Sequence, residues 1–261
     1  MDDPALDPRL HRAALTGLGR INRVSRSAGI LWPAIQRAVT QQIQRGQRGP
    51  HRPARVLDLA CGGGDVLIEL RNRARAAGLP IAWTGLDTSA VAIDFARQRD
   101  AAAAGDDAEM TWVCGDVFGP WPEGGFDVAM NSLFMHHLDA DQAVAVLRKM
   151  AAAGSTVLIN DLRRGAVAYT ASVVGTRLLS RSPIVHVDGP RSVRAAWSPQ
   201  EMSRLAEEAG LAAPRVEKRF PWRMLLEWSA PDHATAATGD DSAEAQTVGQ
   251  QDPPEVKGAA R

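Results

Sequence analysis

Apolar residues recur at helical spacing from Asp7 to about Gln47, where Leu10, Ala14, Leu18, Ile21, Leu31 and Ile35 are separated by arginines. Gly29 and the Trp32-Pro33 pair are expected to divide this stretch into two helices. The turn-rich segment GQRGPHRPARV ends it, and short apolar runs then alternate with helical patterns. Strands are predicted at 55–59, IAWTGLD (81–87), MTWVCGD (110–116), FDVAMNS (126–132) and STVLIND (155–161). Helices are predicted from Gly64 to Ala77, through AVAIDFARQRDAAAA and through DQAVAVLRKMAAA. Such alternation implies a parallel sheet covered by helices on both faces.

The last part of the chain breaks this rhythm. SPQEMSRLAEEAGL carries a full set of helix signals: Ser198 as N-cap, Pro199 at the first helical position, Glu201 completing a capping box and Gly210 as the stop. VEKRF and MLLEW follow as two strand-like runs with a short Pro-Trp-Arg connection, which predicts an antiparallel hairpin. Between the fifth strand and that helix lies an insert from Arg163 to Ala196, with a helical part AVAYTASVVGTRLLS and then PIVHVDGPRSVRAAW. Long inserts at the carboxyl ends of strands tend to carry lids and substrate contacts. Beyond Ala230 large apolar residues almost vanish, and disorder is expected. The organisation read here is a helical lid segment (1–50), a main domain (51–229, insert 163–196) and a disordered tail (230–261).

Composition narrows the partners. With 261 residues and 45% hydrophobic content the chain can build a substantial core. Its formal charge is zero, from 30 basic and 30 acidic residues, so no global field favours nucleic acid or a membrane surface. Cys61 and Cys114 offer neither a disulfide framework nor a metal spacing, which fits a reducing cytoplasm. The start, MDDPALDPRL, has no apolar signal core, and no run approaches the roughly 18 apolar residues that would suggest a membrane span. A cytoplasmic protein with a small-molecule substrate, no metal and no nucleic acid is expected; the oligomeric state is not legible.

The candidate chemistry begins at Asp58-Leu-Ala-Cys-Gly-Gly-Gly, an acidic strand end followed by a glycine turn and a helix. Such a junction places a ligand against bare backbone at the carboxyl end of a strand. The G-x-G-x-x-G spacing of dinucleotide sites is absent. Instead Ala60, Gly62 and Gly64 stand at alternate positions after the acid, strand two ends in Gly85-Leu86-Asp87, and strand three ends in Cys114-Gly115-Asp116-Val117. Strand four gives Phe126-Asp127-Val128 and then Asn131-Ser-Leu-Phe-Met-His136-His137-Leu138.

Taken in this order, the motifs resemble those of the class I S-adenosylmethionine-dependent methyltransferases, in particular bacterial small-molecule enzymes similar to those of quinone biosynthesis. The likeness covers nearly all of residues 8 to 229. It implies a Rossmann-like, seven-stranded, mostly parallel sheet with an antiparallel C-terminal hairpin and an N-terminal helical lid. It also implies S-adenosyl-L-methionine as cofactor, held by Asp58, Ala60, Gly62, Gly64, Asp87, Thr88, Asp116, Val117 and Asn131. Asp58 would serve the cofactor's amino group, Asp87 its ribose hydroxyls, and Asp116 with the Val117 backbone its adenine. Thr88 and Ser89 are also suited to capping the next helix.

Methyl transfer from a sulfonium needs an in-line acceptor in a dry site more than it needs acid-base help. A phenolic acceptor, with a pKa near 10, still gains from a base. His136 and His137, just past strand four, and Asp161, ending strand five, are the candidate catalytic residues, with His186 of the insert as a further base. Trp32, Trp197 and Trp222 are candidates for an aromatic pocket, core packing being the usual alternative. The two prolines and aromatic that follow strand four in adenine methyltransferases are absent, as is the Pro-Cys nucleophile of cytosine methylation, which argues against a nucleic-acid substrate. The expected activity is methylation of an oxygen, or next a carbon, of a phenolic or quinol-like compound. The rivals are a non-catalytic cofactor-binding partner subunit and a nicotinamide-dependent oxidoreductase.

Overall fold

Seven strands form one sheet in the order β3-β2-β1-β4-β5-β7-β6, numbered along the chain. The parallel strands are β1 (Ala54–Leu59), β2 (Ile81–Asp87), β3 (Met110–Cys114), β4 (Phe126–Ser132) and β5 (Gly154–Leu162). Strand β7 (Arg223–Ser229) runs antiparallel to β5, and β6 (Arg215–Arg219) pairs antiparallel with β7 at the edge. The predicted open sheet finished by a hairpin is the observed one. A computed structural model describes residues 7–104 and 110–231. The expected disordered tail lies outside the described residues apart from Ala230 and Pro231.

Both faces of the sheet are covered. Val56, Val128, Met130 and Leu158 face α2 (Ser27–Gln44), α3 (Asp65–Ala76) and α4 (Ala90–Ala104). Leu57, Ala129, Val157 and Ile159 face α5 (Ala140–Ala153) and α8 (Pro199–Glu208). Alternate residues of one strand thus enter opposite core layers, which is why the central strands read as unbroken apolar runs. The capping box on α8 forms as expected: Ser198 Oγ accepts from the Glu201 N–H, and Glu201 Oε2 accepts from the Ser198 N–H at 2.7 Å.

Two expectations need correction. The break in the N-terminal helices falls between α1 (Pro8–Val24) and α2, at Ser25 and Arg26, rather than at Gly29 to Pro33. Arg26 adopts φ 57, and Ser25 Oγ accepts from Arg223 Nη2 at 2.6 Å, so a tertiary contact sets the turn and Pro33 is carried inside α2. The proposed lid segment also divides. The α2 residues Leu31, Ile35 and Val39 have 0% exposure and belong to the sheet's core, whereas α1 lies against α3, α4, α6 and α7. The insert forms the expected helix α6 (Ala166–Leu179) and a second one, α7 (Pro183–Ala195), with Pro190 inside it. Its Gly189 abuts Thr176 of α6, where a Cβ would come within 2.4 Å of the Thr176 methyl; the glycine that disguised the helix lets the two helices close.

Candidate functional site

A cavity of about 600 Å³ opens at the carboxyl ends of the parallel strands, the end at which open α/β sheets receive ligands. One half of its wall comes from strand-end turns. Ala60, Gly62 and Gly64 have φ of 54°, 54° and 70°, so the alternate positions of the motif are those that turn left-handed. Glycine takes that conformation without strain and alanine at a cost of about 1–2 kcal/mol. The Gly62 N–H donates to Asp87 Oδ2 at 2.8 Å and the Ser89 N–H to Asp87 Oδ1 at 2.9 Å, which fixes the Asp87 carboxylate. Ser89 Oγ accepts from the Ala92 N–H and caps α4, while Thr88 lies on the cavity wall.

This half is acidic. Asp58 is 2% exposed, and its Oδ1 has no hydrogen-bond partner. Burial, then the Asp65 and Asp87 carboxylates, push its carboxyl well above the ordinary range. Burial likewise raises Asp65, against the pull of Asn22 Nδ2 on α1, which donates to Asp65 Oδ2 at 3.0 Å. A cluster of desolvated carboxylates favours a cationic ligand. Cys61 lies among them, and burial with the neighbouring acids pushes its thiol up, the opposite of a poised nucleophile. Asp116 and Val117 complete this side; the Phe118 N–H donates to Asp116 Oδ1 at 3.0 Å, and Lys149 Nζ braces the loop by donating to the Val117 and Gly119 carbonyls.

Gly64 and Asn131 stand apart from the other candidate cofactor residues. A Cβ on Gly64 would come within 2.4 Å of the Trp112 ring, so this glycine makes room for a core side chain behind the turn. Asn131 has 0% exposure and donates to the Leu59 carbonyl at 2.7 Å, tying β4 to β1 beneath the cavity. Neither reaches the wall.

The other half is built from parts distant in sequence. Leu15, Leu18, Ile21 and Asn22 of α1, and faces of α6 and α7, form one side. His136 and His137, from a 3-10 turn at Met135–His137, form another with Leu133, which holds φ 64°. The His136 ring lies on Asp161: Nδ1 is 2.7 Å from Oδ1, and the His136 backbone N–H donates to Oδ2 at 3.1 Å. Burial would raise the Asp161 carboxyl, but the paired His136 ring and the Leu162 N–H together hold it below its ordinary value. A carboxylate only accepts, so Nδ1 carries the hydrogen and Nε2 is left as the basic nitrogen. Asp161 itself has 0% exposure and sits behind His136, which makes it the positioning group of the pair. His137 is exposed and stacks on His136 with centroids 4.3 Å apart.

Of the remaining candidates, Trp222 lines the cavity, whereas Trp32, within α2, packs against the core and Trp197 donates to the Met135 carbonyl at 3.0 Å. His186 lies on the outer side of the insert, its Nε2 2.8 Å from the Ser180 carbonyl oxygen, and is no part of this wall. Sequence reasoning missed Asn22, Ser25, Asp65 and Arg223, all of which line the cavity. Asp65 had a signal, since an acid directly after the glycine turn falls at the helix N-terminus; the other three had none.

Residues 56–154 match the family model described as "Methyltransferase domain", and the seven-stranded sheet with its antiparallel C-terminal strands fits the class I methyltransferase fold. No curated protein matches the chain in sequence. The S-adenosylmethionine-dependent methyltransferase SibL is 19% identical with a TM-score of 0.51, over 70% of this chain and 52% of its own. An O-methyltransferase of neocarzinostatin biosynthesis, crystallised with S-adenosylmethionine and 2-hydroxy-5-methyl naphthoic acid, is 24% identical with a TM-score of 0.52, over 70% and 50%. This chain thus spans about half the length of those two relatives. The magnesium protoporphyrin IX methyltransferase of Synechocystis, bound to S-adenosylhomocysteine, is 16% identical with a TM-score of 0.52, over 81% of this chain and 87% of its own. At these identities the likeness establishes the fold. Among the described residues no helix is long and apolar enough to cross a membrane.

Proposed function

We propose that this chain uses S-adenosylmethionine to methylate an oxygen of a small phenolic or quinol-like acceptor, carbon being the next choice. The observation that carries the reading is the His136–Asp161 pair in the wall of the same cavity as the acidic glycine turn. The buried, unpartnered Asp58 Oδ1 fits an ammonium, Asp87 fits vicinal hydroxyls, and Asp116 with Val117 fits the edge of an adenine. When bound there, the cofactor supplies a methyl group activated by a positive sulfonium. His136 Nε2 takes the acceptor's hydroxyl proton, and Asp161 steadies the imidazolium this produces. The apolar side chains of α1, α6 and α7 keep water from the cavity, which strengthens that proton transfer. The naphthoic acid held by the neocarzinostatin enzyme supports an aromatic hydroxyl acceptor.

The test is a turnover assay that follows S-adenosylhomocysteine release with a panel of phenols, quinols and amines. Turnover on hydroxyl acceptors that is lost in His136→Ala, with cofactor affinity retained, is the expected result. Tight cofactor binding without turnover on any acceptor would instead mark a non-catalytic partner subunit.

A further inference from the structure

Among the described residues two arginines are fully buried, and they are treated differently. Arg71, 0% exposed, ends on the Asp100 carboxylate, with its Nε and Nη2 unpartnered in the core away from the cavity. Arg223, 2% exposed, is given only a hydroxyl, Ser25 Oγ at 2.6 Å, and its Nη1 has no partner at all. The nearest acid is no substitute. Asp161 is adjacent in the sheet, since Arg223 pairs with Leu162 and Met224 with Asp161, but its oxygens are already engaged by the His136 ring, the His136 N–H and the Leu162 N–H. Burial lowers the Arg223 guanidinium to about 10, with Asp161 pulling the other way, so the group stays charged near neutral pH. A buried guanidinium that keeps a donor without a hydrogen bond is costly, and a ligand that accepts from that donor removes the cost. Arg223 lines the cavity, together with His136, Pro221 and Trp222.

We infer that Arg223 receives an anionic group of the acceptor, so that the substrate is a hydroxyarene carrying a carboxylate or comparable anion. The inference rests on the methyltransferase reading above and names the acceptor class for it. A planar fork of N–H donors suits a carboxylate, and Nη1 is the donor that the protein leaves over. Asp58, Asp65, Asp87 and Asp116 line the cofactor half, whereas the acceptor half carries Asp188 on α7 and Arg223 as its buried cation. Ser25, at the end of α1, orients the guanidinium and leaves Nη1 free to donate.

The experiment is calorimetric titration of the full chain, saturated with S-adenosylhomocysteine, with salicylate against phenol and 1-hydroxy-2-naphthoate against 1-naphthol. Each carboxylate should bind at least about tenfold more tightly than its neutral partner, as a charge-assisted hydrogen bond requires. That advantage should vanish in Arg223→Gln and persist in part in Arg223→Lys. Should Arg223→Gln fail to fold, the wild-type comparison and Arg223→Lys still decide. Equal affinities within each pair, no binding of either carboxylate, or an advantage that survives in a folded Arg223→Gln would overturn the inference. Failure of S-adenosylhomocysteine to bind in the first step would overturn the cofactor reading and this inference with it, whereas binding there without a carboxylate advantage sinks the inference alone.

Discussion

The two halves of the cavity are made by different kinds of structure. The cofactor half comes from the ends of β1, β2 and β3, each of which carries its acid at or just past its carboxyl end. The acceptor half is assembled from α1, the insert helices, the turn after β4 and the first residue of β7. In the first, backbone geometry at the strand ends places the side chains. In the second, tertiary contacts place them, and the same sheet could carry many different surfaces there.

Four experiments would break or sharpen that contrast. The largest effect is expected from His136→Ala, which should lower kcat by about 10²–10⁴ while leaving S-adenosylhomocysteine affinity unchanged; a loss of cofactor affinity would show that the halves are not separable. Asp87→Ala should have the complementary effect and weaken cofactor binding by roughly 10–100-fold in titration, because the carboxylate fixed by Gly62 and Ser89 is the candidate for the ribose hydroxyls.

Asp58→Asn should weaken the same binding about tenfold yet raise the melting temperature of the free protein. The sign follows from the raised carboxyl. A group whose folded-state value lies above its unfolded one favours folding fully below the ordinary value of 3.8 and loses that contribution as pH rises through its folded value. Removing the charge therefore relieves the free protein at neutral pH. By the same linkage, S-adenosylhomocysteine affinity should fall as pH drops through the raised value of Asp58, a trend that the Asn variant should flatten. The smallest effect belongs to Ala60→Gly, which removes a Cβ from a residue at φ 54° and should shift stability by no more than about 1 kcal/mol in chemical denaturation, with activity kept.

The contrast also explains what was legible in the sequence. Asp58, Ala60, Gly62, Asp87, Asp116 and Val117 could be read because strand-to-turn spacing alone brings them to one cavity. Gly64 and Asn131 share the same motifs but serve packing and strand pairing, a distinction that spacing does not carry. His136 and Asp161 were readable as candidates, yet the roles proposed for them as base and positioning group depend on a contact across 25 residues. Arg223 was hidden because its meaning lies in what its guanidinium lacks. Helix α7 was hidden by Gly189 and Pro190, whose local signal is overridden by close packing on α6.

The sheet order has a consequence in time. Strand β7 lies between β5 and β6 although it is the last in the chain, so β6 has no sheet partner until β7 arrives. During synthesis, the five parallel strands and the turns at their ends can be assembled from the chain already made. The contact of Arg223 with Ser25 spans 198 residues and closes only when the hairpin docks. A nascent chain would therefore possess the turns of its cofactor half before its acceptor half exists, and the strand that completes the sheet would also deliver the last residue of the site.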